Sequence, residues 1–483
     1  MNRTLMYRAL IALALMIGFY VLALGIGLGL LGLPIFLTLA THSFAVGLIK
    51  VYLVCVVFGG IILWNVFPRF ERFEAPGLRL NLQNHPRLHQ MLKGLAERTG
   101  QPMPDEVYLI FENNAWVQES LGFFGLFKKR RMAIGLPLMH MLTEQEFKAV
   151  LAHEYGHYHG GDTRLGAFIH QTRSALFRTV NSMSDTFIGK IFTAYGNMYL
   201  KLTHGISRAQ EYQADRFAAQ FTHPRVMESA LQKVGHLGGS FDHYWRSEVV
   251  PVLNSGYKPP ILGGYEAYLT VPKIQELWLR HYEESNTSED ALQTHPSMQK
   301  RIAALRSLTK ATTEDRSESA LHLLENPQEQ ELQLLKFLGG PDAFNKLQDI
   351  TWETVGERVW VPFWRDFSNN YRPVVTGQTL EQITLQLLDD GKRYWLFERM
   401  RHPQYPQDDH YPWMVLRFLI AVGLHDAGWT IEARPGEPVV FRKGDKELRP
   451  LDDLIDLQTG ENRGIWLENL RKAEMLDAVL IRF

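Results

Sequence analysis

The chain has 483 residues, more than one ordinary domain, and 46% of them are hydrophobic, which is enough for a packed core. The formal net charge is −1, from 51 Lys and Arg against 52 Asp and Glu, so the chain as a whole shows no sign of binding nucleic acid. Its one cysteine, Cys55, excludes internal disulfides and a zinc site made of several cysteines. Any metal must therefore be held by histidines and carboxylates.

Two long apolar runs open the chain. Residues 9–33 carry no charge over roughly the length that a bilayer span needs, and residues 44–67 form a second run that only Lys50 interrupts. A signal peptide is the alternative for the first run, but that run is too long for one and a second span follows at once. The pattern predicts a transmembrane hairpin over residues 1–70.

Basic residues set the expected orientation of this hairpin. Arg3 and Arg8 precede the first span, and Arg69, Arg72 and Arg79 follow the second, whereas the connection between the spans is nearly uncharged. Positively charged flanks stay on the cytoplasmic side of a membrane. We therefore expect both ends of the hairpin, and the rest of the chain, to face the cytoplasm.

Mixed helices and strands follow the hairpin. Residues 83–100 predict a helix that ends at Gly100, with Pro102 just beyond it. The stretches "DEVYLIF", "NNAWVQES" and "RMAIGLP" are typical of strands. This alternation predicts a small sheet ahead of the next helix.

The next helix begins at a capping box formed by Thr143 and Glu146, and Gly160 and Gly161 are expected to end it. Residues 165–205 are amphipathic and too rich in charge to span a membrane. They could lie on a membrane face, but packing in a core is the default.

The stretch "HEYGHYHGGD", residues 153–162, carries the clearest chemistry. His153 and His157 are four residues apart on a helix, so both imidazoles point to one side and can bind one zinc ion. Glu154 lies beside them and can take a proton from a water on the metal. The alternative is a solvated helix end, since such a pattern arises by chance in about a few per cent of chains of this length.

The third ligand decides the class of the site. A histidine six residues after His157 would complete one known zinc pattern, but Thr163 occupies that position. His159 points away from the side that carries the other two histidines. Glu211 can complete a shell of two histidines and one glutamate with a position left for water, and Asp215 can accept the ring N–H of a ligand histidine. An ordinary surface glutamate is the alternative for Glu211.

Three motifs in order, "HEYGHYHGGD", "SRAQEYQAD" and "THPSMQKRI", resemble those of the forty-eighth metallopeptidase family. This family comprises membrane-anchored gluzincins, among them HtpX-like heat-shock proteases and type I CAAX prenyl proteases. The resemblance extends over about residues 75–310, because the segment before the zinc helix is similar too. HtpX-like members have four spans and prenyl proteases more, whereas only two are clear here.

The resemblance implies a zinc endopeptidase that holds one Zn²⁺ per chain. His153, His157 and Glu211 would be the ligands and Glu154 the catalytic base. We expect protein or peptide substrates.

Further residues take their expected roles from the same resemblance. Asp162 and Asp215 match two aspartates that orient groups around the metal. His295 matches the histidine of an HP motif and is a candidate to stabilise the oxyanion, with packing at a helix start as the alternative. Asn114 and Ala115 match the start of an edge strand on which such enzymes bind an extended substrate.

The expected fold is α+β and mainly helical. It consists of the transmembrane hairpin, a gluzincin-type zinc peptidase domain with a small β-sheet over residues 71–310, an acidic helical linker over residues 311–355, and a C-terminal α+β module of unknown role over residues 356–483. Within that module, "PWMVLRFLIAVGL" is too short to span a membrane and predicts a core helix. "WTIEARPGEPVVFRKG" predicts a β-hairpin.

We therefore predict a zinc metalloendopeptidase of the bacterial inner membrane that hydrolyses membrane or membrane-proximal proteins in quality control. Its partners would be protein or peptide substrates and the lipid bilayer, and not nucleic acid. Two alternatives remain open. One is a non-proteolytic, membrane-anchored scaffold or holdase that keeps the metal site, and the other is a protease that processes prenylated proteins.

Overall fold

The structure is a computed structural model, and the residues that it describes are 3–42, 46–67, 73–120, 129–157, 172, 175–183, 186–287, 296–308, 318–402, 404, 408–460 and 464–479. The chain forms two compact units, each from two stretches of sequence. The N-terminal unit comprises Met1–Gly238 and His281–Gln330, and the C-terminal unit comprises Gly239–Arg280 and Glu331–Phe483.

The described residues are mostly helical. In chain order the α-helices are α1 (Arg3–Thr41), α2 (Ile49–Val66), α3 (Pro86–Thr99), α4 (Leu136–Met141), α5 (Glu144–Gly156), α6 (Phe187–Phe221), α7 (Pro224–Leu237), α8 (Ser240–Tyr244), α9 (Val250–Asn254), α10 (Ile261–Thr270), α11 (Pro272–Thr287), α12 (Met298–Arg306), α13 (Pro327–Gly339), α14 (Pro341–Phe344), α15 (Trp352–Val355), α16 (Val361–Ser368), α17 (Arg372–Val375), α18 (Leu380–Leu388), α19 (Asp390–Glu398), α20 (His410–Asp426), α21 (Pro450–Thr459) and α22 (Ile465–Lys472). The strands are β1 (Leu78–Arg79), β2 (Glu106–Ile110), β3 (Ala115–Ser120), β4 (Lys129–Gly135), β5 (Tyr257–Lys258), β6 (Gln348–Asp349), β7 (Thr430–Glu432), β8 (Val440–Lys443) and β9 (Lys446–Leu448). The predicted α+β, mainly helical fold class is confirmed.

Helices α1 and α2 form the N-terminal hairpin and approach closely at two glycines. A methyl group on Gly27 would lie 2.8 Å from the Leu63 side chain, and one on Gly59 would lie 2.9 Å from the Gly27 carbonyl oxygen. Small residues let apolar helices pack in this way within lipid. The stretches Leu10–Thr41 and Ile49–Val66 have mean hydropathies of 2.5 and 2.1, so both helices are long and apolar enough to cross a membrane.

The sheet of the N-terminal unit has the strand order β1-β2-β4-β3. Strands β2 and β4 are parallel, whereas β1 and β3 run antiparallel to their neighbours. Strand β3 therefore forms one edge of this sheet.

Helix α5 begins at the predicted capping box. The Thr143 hydroxyl accepts a hydrogen bond from the Glu146 N–H, and the Glu146 carboxylate accepts one from the Thr143 N–H at 2.9 Å. The same carboxylate is buried, and it accepts hydrogen bonds from Ser229 Oγ and Lys233 Nζ, each at 2.6 Å. These contacts fix the start of α5 against α7. The predicted helix end at Gly160 and Gly161 lies outside the described residues.

Helix α6 links the hairpin to the rest of the N-terminal unit. Its first half, together with residues 175–183, packs on α1 and α2 in a cluster that includes Phe19, Ile62, Leu176 and Phe192. The hairpin therefore covers the apolar side chains of this cluster in residues 175–183 and in the first half of α6.

The C-terminal unit has its own core around α20, whose inner face is fully covered. Trp466, Phe441 and Leu416 are among its buried side chains. The predicted hairpin is formed by β7 and β8, and α20 is the predicted core helix. Residues 239–280, which the sequence places in the peptidase domain, belong to this unit because their aromatic side chains pack there.

Candidate metal centre

Helices α5 and α6 bring the candidate ligands together. His153 lies in the last turn of α5, His157 is its C-terminal cap, and Glu211 lies in the second half of α6. A methyl group on Gly156 would lie 2.9 Å from the Ala214 Cα, so the two helices reach this distance only because residue 156 has no side chain. The close approach places the ligand side chains of one helix against those of the other.

The three ligand atoms converge on one point. His153 Nε2 lies 3.1 Å from His157 Nε2 and 3.5 Å from Glu211 Oε2, and His157 Nε2 lies 3.7 Å from Glu211 Oε1. One ligand atom from each residue lies within 4.8 Å of the other two. Tetrahedral zinc with bonds of about 2.0–2.1 Å spaces its ligand atoms by about 3.3 Å. Donor set and spacing therefore both fit zinc.

Burial keeps one of these histidines neutral. Desolvation, followed by the effect of the adjacent His153, lowers the pKa of His157 from 6.5 to about 4. At pH 7 the His157 ring is therefore uncharged, as a metal ligand must be. The contact between the two ring nitrogens admits a hydrogen bond or a shared cation, and the Glu211 carboxylate that faces both nitrogens favours the cation.

Asp215 and Arg301 support the ligands from behind. Asp215 Oδ1 lies 2.9 Å from His153 Nδ1, although off the direction of the ring N–H, and its two oxygens accept hydrogen bonds from Arg301 Nε at 2.8 Å and Nη2 at 2.6 Å. Arg301 Nη1 lies 3.2 Å from Glu211 Oε2. Burial raises the pKa of the Asp215 carboxyl, but the hydrogen bonds and charges of Arg301 and His153 together outweigh burial and lower this pKa overall. Asp215 therefore stays ionised inside the protein.

Glu154 occupies the position between the two histidines on α5 and is only partly buried. Burial lowers the pKa of the Arg301 guanidinium, but Asp215, Glu211 and Glu154 together raise it overall. The carboxylate of Glu154 therefore lies within electrostatic reach of the same cation that holds Glu211. Its partial exposure leaves it open to a substrate or a water.

The edge strand β3 lies next to α5. Ala115 pairs with Ile134 of β4, and the Asn114 carbonyl accepts a hydrogen bond from the Gly135 N–H at 2.8 Å. A methyl group on Gly135 would lie 1.9 Å from the Glu112 carbonyl oxygen, so only glycine fits where β4 enters the next helix. The other edge of β3 has no strand beside it among the described residues.

Comparisons with known proteins match part of this chain to one peptidase family. A family model described as peptidase family M48 matches residues 82–309. Residues 82–309 are therefore similar to peptidase family M48. A protease HtpX homolog of Sulfurovum sp. (strain NBC37-1) is 27% identical over 176 residues, which are 34% of this chain and 60% of that protein. A protease HtpX homolog of Burkholderia mallei (strain SAVP1) is 26% identical over 239 residues, 46% of this chain and 73% of that protein.

One solved structure, that of S. mikatae Ste24p, matches 63% of this chain and 66% of its own at 18% identity, with a TM-score of 0.26. Superposition at this level supports no conclusion about the site. The family assignment rests on the sequence match alone, and the residues beyond it, 310–483, lie outside the M48 segment.

Several predicted residues of the M48 segment lie outside the described residues. These are Asp162, His295 and the non-ligand His159. Pro296, the residue after His295, precedes the cap residue Ser297 of α12. The roles expected for Asp162 and His295 therefore stay predictions.

The sequence also left two functional positions unassigned. Arg301 lies within the third motif, on the same buried face of α12 as Leu305, which lies one turn later. Its spacing from that apolar residue was the signal in the sequence that could have indicated a buried arginine. Gly156 lies inside the zinc motif itself, but the need for a glycine arises from Ala214 on another helix. No spacing rule within one helix could reveal that contact.

Proposed function

We propose that this protein is a membrane-anchored, zinc-dependent endopeptidase. The observation that carries the proposal is the convergence of His153, His157 and Glu211, whose ligand atoms lie within 4.8 Å of one another, in a segment of peptidase family M48. Two histidines and a glutamate leave one position of a tetrahedral site for water or substrate, as catalytic zinc requires.

The chain's own residues supply the acid–base chemistry. Bound zinc would polarise both the attacking water and the scissile carbonyl. Glu154 takes a proton from the water and passes it to the amine of the leaving fragment. Asp215 orients the His153 ring, and Arg301 binds both Asp215 and Glu211, so the ligand set is held in place before substrate arrives.

Strand β3 supplies a place for the substrate. An extended peptide that added to its open edge, beginning near Asn114 and Ala115, would run beside the zinc helix. Main-chain hydrogen bonds would then hold the peptide whatever its sequence. A broad specificity of this kind suits the removal of damaged proteins, which favours a quality-control role at the bacterial inner membrane. The basic residues that flank the two spans favour a cytoplasmic position for the catalytic residues.

The test is the Glu154→Gln variant of the full chain in detergent, with unfolded casein as substrate. It should bind one zinc per chain, as the native protein does, and cleave at least about 1,000-fold more slowly because it has lost its base. The matched control is Glu144→Gln on the same helix. The Glu144 carboxylate lies 3.0 Å from His322 Nε2 and is not one of the groups that contact the metal ligands. Normal cleavage by Glu154→Gln would disprove the mechanism, and a zinc-loaded native protein that cleaves neither casein nor a farnesylated peptide would indicate the scaffold alternative.

A further inference from the structure

Helix α1 is much longer than a bilayer. It has 39 residues, whereas α2 has 18. At about 1.5 Å per residue these lengths correspond to about 58 Å and about 27 Å, against a hydrocarbon thickness of about 30 Å. Helix α2 therefore matches the membrane, and only part of α1 can lie in it.

The packing of the hairpin shows which part of α1 accompanies α2. Gly27 lies against Leu63 and Gly59, and Gly59 lies against Leu31, so the two helices are antiparallel and residues 59–63 of α2 are level with residues 27–31 of α1. Continued at the same rise, the C-terminal end of α2 is level with about residue 22 of α1. The first 20 or so residues of α1 therefore extend beyond the end of α2.

A polar belt surrounds the C-terminal end of α2. Trp64 is 70% exposed, Asn65 Nδ2 donates to Ser182 Oγ at 2.7 Å, and Arg178 Nη2 donates to the Asn65 carbonyl at 3.2 Å. Arg69 follows in the sequence. Tryptophan and arginine collect at the boundary between lipid and water, and a charged guanidinium such as that of Arg178 is costly within lipid.

We propose that the edge of the bilayer crosses α1 near residue 21, and that the part of α1 before this point stands outside the lipid. This shifts the span of α1 from the 9–33 that the apolar run indicates to about 22–41. The inference builds on the proposed function, since its consequence concerns which bonds the peptidase can reach.

Helix α6 leads from the same belt to the metal centre. Phe192 packs on Phe19 at 6.2 Å between ring centroids, and the Tyr195 hydroxyl donates to the Leu15 carbonyl, so α6 runs antiparallel to α1 and away from the membrane. Glu211 follows Phe187 by about 24 residues of continuous helix, which is about 36 Å along its axis. Even with a tilt of about 30° the ligand stands about 30 Å from the lipid.

This distance defines the substrate class. An extended chain covers about 3.3 Å per residue, so about nine to eleven residues must separate a membrane span from the bond that is cut. The peptidase would act on membrane proteins with long unstructured tails or loops, and would spare those whose chain folds or ends close to the bilayer.

Cysteine labelling tests the position of the bilayer edge without any catalysis. Ile17 and Leu28 are 54% and 58% exposed on α1, so the protein itself shields both equally. In a Cys55→Ala background, Ile17→Cys and Leu28→Cys proteins are placed in liposomes and treated with a membrane-impermeant maleimide, before and after detergent. Only Ile17→Cys should react before detergent, at least about ten times faster than Leu28→Cys. Protection of both cysteines would overturn the proposal, and Leu13→Cys against Leu24→Cys, 37% and 42% exposed, repeats the comparison should either variant fold poorly.

A spacer series tests the consequence for substrates. Single-span substrates with 4, 7, 10, 13 or 16 unstructured residues between the span and a cleavable segment are reconstituted with the native protein. Cleavage should begin at about ten residues. Cleavage that begins at five spacer residues or fewer, or that does not depend on spacer length, would overturn the proposed distance between the metal centre and the lipid. Casein digestion by the same preparation reports on the proposed function separately, because casein does not have to reach the site from the membrane.

Discussion

Arg301 donates hydrogen bonds from Nε and Nη2 to the two carboxylate oxygens of Asp215, while its third nitrogen, Nη1, faces Glu211. One guanidinium thus binds two carboxylates that lie one turn apart on α6. A planar fork of donors can do this, but a lysine ammonium cannot reproduce it. The arginine connects the third motif of the sequence to the metal centre.

The variant Arg301→Lys should therefore weaken zinc binding. We expect a 10- to 100-fold rise in the zinc dissociation constant, because Glu211 and Asp215 lose the donors that orient them, about 1.4–2.7 kcal/mol. Competition with a fluorescent zinc chelator measures this. The control is Arg306→Lys on the same helix, which loses its 2.7 Å contact with Glu228 and should leave zinc affinity within about twofold. Equal zinc affinities for the two variants would contradict the role given to Arg301.

The close approach of Gly156 to Ala214 gives a second prediction. In Gly156→Ala the new methyl group would meet the Ala214 Cα at 2.9 Å, which forces α5 and α6 apart and separates the ligands that they carry. We expect at least a 10-fold loss of zinc affinity and a protein about 1–3 kcal/mol less stable.

Gly94 on α3 provides the matched control, since a methyl group there would meet nothing within 4 Å. Gly94→Ala should stabilise the protein by about 0.5–1 kcal/mol, because alanine favours a helix, and should leave zinc affinity unchanged. Urea unfolding and zinc titration of both variants check the pair. A Gly156→Ala protein that binds zinc normally would show that the helices can adjust.

The lowered pKa of His157 predicts a pH dependence for the metal-free protein. Its imidazole titrates near 6.5 when unfolded and at about 4 when folded, so between these pH values the unfolded chain binds the additional proton. The contribution of His157 to stability is fully present above pH 6.5 and is lost as the pH falls toward 4. In urea unfolding of chelated protein between pH 7.5 and 4.5, His157→Gln should show a shallower loss of stability than the native chain, and parallel curves would contradict this assignment.

The capping box of α5 gives a fourth prediction. Glu146 is 2% exposed and accepts hydrogen bonds from Thr143, Ser229 and Lys233. Replacing it by alanine leaves those donors without their acceptor, and we expect a loss of about 3–5 kcal/mol in unfolding free energy. Gln382→Ala removes the corresponding residue of the exposed capping box of α18 and should cost about 1 kcal/mol. Thermal unfolding measures both, and similar losses would mean that the buried contacts add nothing to the cap.

Local features of this fold follow closely from the sequence. The capping box at Thr143, the left-handed Gly100 after α3 and the two apolar helices all lie where short-range patterns place them. Such signals act within a turn or two of helix, so they survive in a single sequence. The pairing of the histidines of α5 is of the same kind, since four residues of helix fix it.

Features that depend on distant contacts were not predictable in this way. Arg301 and Asp215 are 86 residues apart, and the periodicity of a sequence does not predict which buried charged residues will form an ion pair. Residues 175–183 show an amphipathic pattern, but the pattern defines a face and not the neighbour that covers it, which proved to be the hairpin. The assignment of residues 239–280 to the C-terminal unit has the same cause.

The chain leaves the N-terminal unit at residue 238 and returns at residue 281, before it supplies α12 and Arg301. Within the C-terminal unit, both oxygens of Glu331 accept hydrogen bonds from the backbone of Ile261 and Leu262 at 2.8 Å. A protein truncated after residue 330 would therefore contain residues 239–280 without the Glu331 carboxylate that caps α10. Residues 331–483 therefore complete a unit that begins inside the peptidase segment, and they are not a tail that can be cut away.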